Sequence, residues 1–204
     1  MLKRASIIFL LFILTTSAFA ATLKESKESY LVLSEKKNTH EKGKVKMTVF
    51  FDFFCPHCHQ FDTVVVSILQ REFGKKLKVT SIGFPIIYED SVIPLEAFEL
   101  AKDEGKGEEM KQAIFDAIYY QRKDGANRDV LLSLAKSLGL SEKFNKGLTS
   151  GIKKNTVLEG KDLAKSFGAT STPTVIIDGN VLIKDNSLAT ISSVINNILD
   201  KDGK

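Results

Sequence analysis

The sequence has no tryptophan, three histidines, four prolines and only two cysteines. Two cysteines cannot build the multi-bridge framework that staples small exported domains, so this chain of 204 residues must rest on its apolar core. A four-ligand zinc site would need two partners beyond the cysteines, and His40 lies in a polar, lysine-rich stretch. No charge of one sign dominates. The 29 basic residues are spread along the chain against 25 acidic ones, which argues for solvated surface and against a nucleic-acid footprint. Long apolar runs are missing as well. The longest, Ile7 to Leu14, falls far short of the roughly 20 residues needed to span a bilayer and gives way at once to Thr15, Thr16 and Ser17.

That short run has its own meaning. Lys3 and Arg4 precede it and Ala18-Phe19-Ala20 follows it, the charged, apolar and small-x-small order of a secretory signal. The pattern predicts a signal peptide over 1–20, cleaved after Ala20, and no cysteine stands where a lipid anchor would attach. Removing Lys3 and Arg4 from the 29 basic residues leaves 27 against 25 acidic, a net charge of +2. An exported chain meets an oxidising compartment, where paired cysteines can be oxidised.

The remaining residues alternate between two periodicities. Tyr30 to Leu33 predicts a short edge strand, and Met47 to Phe54 a strand buried on both faces, broken only by Thr48 and Asp52. Phe61, Val64, Val65, Ile68, Leu69 and Phe73 then fall on one helical face, closed by Gly74. Leu77 to Phe84 predicts a further strand, ending at Pro85. Helical patterns follow over 94–102, 108–122, 129–138 and 154–167, with a short turn over 141–148 and breaks at Gly105, Gly125 and Gly139. Strands return over 175–177 and 181–183 around Asp178-Gly179-Asn180, a hairpin signal, before a last helix over 188–199 capped by Asn186 or Ser187. The expected organisation is an α/β scaffold over 21–86 and 169–204, interrupted by an all-helical insertion over 87–168.

The chemistry concentrates where the motif strand ends, at Cys55-Pro56-His57-Cys58. Pro56 suits the first turn of a helix, where its missing N–H costs nothing. A helix start offers unpaired N–H groups and the positive end of the dipole, both of which favour thiolate. Cys55 is therefore expected to be the more acidic, more exposed nucleophile, and Cys58, a turn further in, the resolving thiol. His57 between them can tune the acidity. A purely structural bridge is the bland alternative, but so short a loop restricts the unfolded chain little. Cys55-Pro-His-Cys58-His59 also matches the Cys-x-x-Cys-His attachment signature of c-type haem, with Met47 and Met110 as possible axial ligands. An aromatic strand feeding the motif, and a remote Thr172-Pro173, are not explained by haem.

Phe53-Phe54-Cys55-Pro56-His57-Cys58 with Gln60-Phe61 resembles the periplasmic disulfide oxidoreductases of the thioredoxin superfamily, of DsbA type. The likeness extends over the expected mature chain. It implies a thioredoxin fold, a central mixed β-sheet flanked by helices, with an inserted all-helical domain, no cofactor, and a redox-active Cys55–Cys58 disulfide. It further implies a cis Pro173 beside the sulfurs, substrate docking at Thr172, Pro173 and Phe54, and a monomer. Implied partners are reduced or unfolded exported proteins and a membrane quinone-linked reoxidant of DsbB type. Two positions depart from the pattern. Thr172 stands where DsbA-type oxidases often carry valine and is similar to the isomerase branch, which keeps isomerase or reductase activity open. Val49, six residues before Cys55, stands where related strands place a proton-relaying carboxylate. Asp52 is only three before Cys55, and strict strand alternation would turn it to the other face.

Overall fold

The structure, a computed structural model, describes residues 29–203. The expected signal peptide lies outside those residues. Five strands form one mixed sheet: β1 (Tyr30–Val32), β2 (Val45–Phe51), β3 (Leu77–Gly83), β4 (Thr174–Ile177) and β5 (Val181–Ile183), in the order β1-β5-β4-β2-β3. β2 runs parallel to β3, and the remaining pairs are antiparallel. The crossover between β2 and β3 is α1 (Pro56–Gln60), a π-helical turn (Phe61–Val66) and α2 (Ser67–Phe73). The β4–β5 hairpin turns at Asp178 and Gly179, both at positive φ, and Ser187 caps the closing helix α8 (Leu188–Asp202).

Sheet alternation divides the core. Val45, Met47 and Val49 pack with Phe61, Val66, Leu69, Ile191 and Ile195 on one face. Phe50 and Ile176 pack with Phe84 and Ala164 on the other. That second face is covered by α7 (Lys154–Ser166), which reaches the sheet through Gly160: a Cβ there would stand 2.7 Å from the Gly83 carbonyl oxygen.

Between β3 and α7 lie α3 (Val92–Asp103), α4 (Gly107–Tyr119), α5 (Arg128–Ser137) and α6 (Glu142–Ser150). Asn127 and Ser141 cap α5 and α6 by accepting from backbone N–H groups. Leu95, Phe98, Met110, Ile114, Phe115, Leu131 and Phe144 make an apolar core of their own. Phe51, Phe53 and both cysteines join that second core, so the thiol pair sits on the seam between sheet and insertion. The architecture is a thioredoxin fold with an inserted all-helical subdomain.

Two expectations need correction. The motif strand ends at Phe51, not Phe54, because Asp52 leaves the ladder to bind backbone N–H groups elsewhere. The helix after the motif is not one regular α-helix. Its π turn advances the buried face by one residue, so Val64 is 48% exposed while Val66 is 4% exposed.

Candidate active site

Cys55 occupies the N-cap of α1 with extended backbone (φ −86°, ψ 110°), and Pro56 stands at the first helical position. The turn is tied by Cys58 N–H donating to the Cys55 carbonyl at 2.9 Å and Cys55 N–H to the Asp52 carbonyl at 3.2 Å. Both cysteines are free thiols. By accessible surface they are nearly alike, at 3% for Cys55 and 2% for Cys58, so the expected difference in exposure is small. Depth separates them. Cys55 adjoins exposed Pro56 and His57, whereas Cys58 lines a small internal cavity.

Their acidities diverge accordingly. A hydrogen bond from the Cys58 thiol, more than any other contact, holds Cys55 down at about 5 against desolvation, helped by the backbone N–H groups of Cys58 and His57. Burial, reinforced by that same hydrogen bond, pushes the Cys58 thiol far up. At neutral pH the pair is therefore one thiolate and one thiol. The part His57 plays here is that of its backbone N–H, and its ring stands at the surface.

The Thr172-Pro173 bond is cis, and the Thr172 carbonyl oxygen lies 3.3 Å from Cys55 Sγ, where it accepts from the protonated form of that thiol. Thr172 Oγ1 is buried beside the sulfurs without a hydrogen-bond partner of full geometry. Asn186 Nδ2 donates to the Pro173 carbonyl at 2.8 Å and steadies this loop. Beside it runs an open groove lined by His57, Gln60, Val64, Ser171, Pro173 and Asn186. Phe54, half-buried, meets the exposed Tyr88 edge-on at 5.4 Å on the flank of the motif.

Asp52 is fully buried, and its carboxylate accepts from the backbone N–H groups of Phe54, Ile86 and Ile87 at 2.9–3.0 Å. It is thus a paired strand-end acid that fastens the motif loop to the chain after β3. His59 stacks on Tyr119 with ring centroids 4.6 Å apart and planes 6° from parallel, while the Tyr119 hydroxyl donates to the Phe53 carbonyl. Burial, then the charge of the nearby thiolate, raises the Tyr119 phenol. Met47 and Met110 are both fully buried, in separate parts of the core.

Sequence reasoning missed one polar cluster altogether. Lys111 of α4, 3% exposed at its side chain, places Nζ 2.7 Å from Asp62, 2.6 Å from Glu108 and 3.0 Å from Ser81 Oγ. A lysine on a helix in an insertion gives no signal that it will be buried against the turn after the cysteines.

A thiolate at a helix N-terminus, a protonated thiol one turn behind it and a cis-proline loop beside an open groove are equipped for thiol–disulfide exchange. The family model described as Thioredoxin matches residues 39–197. The chain belongs to the thioredoxin family. Within it, the sequence is 25% identical over 182 residues to the thiol:disulfide interchange protein DsbA of Pectobacterium carotovorum, covering 88% of this chain and 86% of the relative. It is 31% identical over 150 residues to the "Probable disulfide bond formation protein D" of Bacillus cereus, covering 69% and 68%. Among solved structures, DsbA of Xylella fastidiosa superposes with a TM-score of 0.69 at 16% identity, covering 85% of this chain and 95% of that one. Pseudomonas aeruginosa DsbA gives 0.67 at 19% identity, covering 86% and 92%. This thioredoxin-family protein is a DsbA-like thiol–disulfide oxidoreductase.

Proposed function

We propose that the protein acts as an oxidase, passing the Cys55–Cys58 disulfide to exported proteins. A substrate thiolate attacks Cys55 Sγ, the Cys55–Cys58 bond breaks, and Cys58 leaves with the electron pair and takes up a proton. A second substrate thiol then displaces Cys55, which departs as thiolate. Two electrons have moved from substrate to enzyme. The observation that carries this direction is the acidity of Cys55, held at about 5. A stabilised thiolate stabilises the reduced pair and so makes its disulfide the stronger oxidant.

The remaining assignments follow from the same reading. Cys58 resolves mixed disulfides, and Pro56 and His57 supply the helix-start geometry. Thr172, Pro173 and Phe54 dock extended polypeptide, the loop backbone offering strand-like pairing. Reduced, unfolded exported proteins are the substrates, a DsbB-type membrane protein returns the pair to disulfide, and the protein works as a periplasmic monomer after cleavage behind Ala20. The relatives' names and the signal-like N-terminus support this setting. Thr172, whose hydroxyl lies against the sulfurs, favours a second reading as isomerase or reductase.

Oxidised protein mixed with a reduced, unfolded two-cysteine substrate should generate the substrate disulfide stoichiometrically, and Cys55→Ser should not. Preferential reduction of substrate disulfides by the thiol form would overturn the assigned direction.

A further inference from the structure

Cys58 has a protonation problem that its immediate surroundings do not solve. To close a mixed disulfide held on Cys55 it must become a thiolate, yet it is buried and its thiol is strongly disfavoured from ionising. Cys55 is then bonded to the partner's sulfur and cannot take the proton. Asp52 is committed to three backbone N–H groups. Tyr119, on the other side, donates to the Phe53 carbonyl and carries a proton of its own.

Behind Cys58 lies an internal cavity of about 10 Å³, at the margin for a single water. Its walls are Cys58, Val49, Phe51, Phe61, Asp62, Ser81, Phe115 and Pro173, so only Asp62 and Ser81 present ionisable or hydroxyl side chains besides the thiol. Val49 contributes a hydrocarbon wall. It stands in register between Ser81 of β3 and Val175 of β4, so no carboxylate reaches the cavity from β2. Asp62 comes instead from the π turn. Lys111 holds it at 2.7 Å, and Lys111 also grips Glu108 and Ser81. Asp62 retains partial exposure, Glu108 is mostly exposed, and Ser81 and Glu108 together line a surface groove on the outer side. Cavity, carboxylate and solvent are therefore contiguous.

We infer that Asp62, positioned by Lys111, is the proton relay of the resolving thiol, reached through the cavity between them and taking the place of a carboxylate at Val49. In closure the Cys58 proton passes through one water to the Asp62 carboxylate. The Cys58 thiolate attacks Cys55 Sγ, the Cys55–Cys58 bond forms, and the bond from Cys55 to the partner's sulfur breaks. The partner leaves as a thiolate with the electron pair, and Asp62 releases its proton to solvent. When substrate opens the disulfide, the same path returns a proton to Cys58. The charged and titratable groups around the path are Lys111 and Glu108 beside Asp62, with Cys55, Asp52 and Tyr119 near the sulfur.

The inference rests on Cys58 being the resolving thiol, and the test separates the two. Reduced mature protein is mixed with glutathione disulfide, and acid-quenched samples are weighed by mass spectrometry. Glutathionylation of Cys55 and its later loss by closure are thereby timed as two phases from pH 5.5 to 9. In Asp62→Asn the first phase should match wild type, while closure slows about tenfold or more near neutrality and converges at high pH, where hydroxide takes the proton. Adding Val49→Asp to Asp62→Asn should restore closure by supplying a carboxylate from another wall of the same cavity, which a merely structural role for Asp62 would not allow. Should Asp62→Asn fold poorly beside the buried Lys111, Asp62→Asn with Lys111→Met removes both charges and should show the same slow closure. Closure at the wild-type rate and pH profile in these variants would overturn the relay alone. Wild-type protein that never closes its mixed disulfide would overturn the role of Cys58, and the relay with it.

Discussion

Replacing Cys58 by alanine removes the contact that does most to acidify Cys55, while leaving the helix N–H groups in place. A hydrogen bond to a charged group contributes about 1.5–3 kcal/mol. At 1.36 kcal/mol per pKa unit, its loss should raise Cys55 from about 5 to about 6–7. Cys58→Ser keeps a donor at the same place and should stay closer to wild type. Thiolate absorbance near 240 nm against pH reads all three proteins directly. The same acidity makes a stability prediction. The folded thiol is more acidic than the unfolded one, so its stabilisation is complete above about pH 9 and is lost as pH falls through about 5. At pH 7 it amounts to about 3 kcal/mol, and above pH 9 to about 5 kcal/mol. Denaturant unfolding of reduced wild type against Cys55→Ala should therefore show a gap that widens from pH 5 to 9. A Cys58→Ala protein whose Cys55 still titrates near 5 would refute the assignment of the acidity to the Cys58 hydrogen bond.

Further predictions address the mechanism and the frame. Cys58→Ser should accumulate a mixed disulfide with substrate, visible as a covalent adduct on non-reducing gels; normal turnover would remove Cys58 from the resolving role. Asp52→Ala strands three backbone N–H groups in a buried setting and should cost several kcal/mol in chemical denaturation, at roughly 1–3 kcal/mol per orphaned group. Gly160→Ala drives a methyl to 2.7 Å from the Gly83 carbonyl oxygen, so α7 must shift and stability should fall by about 1–3 kcal/mol in the same assay. His40 is clamped at 2.8 Å by Asp178 and at 2.9 Å by Asp202, and its pKa is raised above the free value chiefly by the Asp202 hydrogen bond. Its contribution is present in full below the unfolded value of 6.5 and fades as pH rises through the folded one, so His40→Ala should lose more stability at pH 5.5 than at pH 8.5.

Much of the frame was legible because periodicity carries it. The hairpin signal at Asp178-Gly179-Asn180 between two apolar runs, the cap at Asn186 or Ser187, found at Ser187, and the helical spacing in the insertion each match an element of the structure. The motif was legible because a proline at the first helical position after a cysteine leaves few alternatives. What escaped depends on contacts distant in sequence. The early end of β2 is set by N–H groups at Ile86 and Ile87, 34 and 35 residues away. The π turn that exposes Val64 and buries Val66 leaves no mark in the apolar pattern, which reads equally well as a regular helix. His40 looked like part of a loose polar segment, yet its partners lie 138 and 162 residues further on. Asp62 and Lys111 are 49 positions apart on separate helical segments, and only their packing across the seam joins them. Val49, by contrast, could be seen as a gap in the pattern but not filled.

The most direct test of the central claim, that this pair is built to oxidise, is its reduction potential measured by equilibration with glutathione buffers at pH 7. Stabilising the reduced form by about 3 kcal/mol raises the potential by about 60 mV over an otherwise equal pair with ordinary thiols. Thioredoxin at about −270 mV and DsbA at about −120 mV mark the reducing and oxidising ends of the family; DsbA's low thiol pKa is established and serves as a benchmark. The pair is expected to sit above about −200 mV. A potential at or below about −250 mV would contradict it and make the protein a reductase.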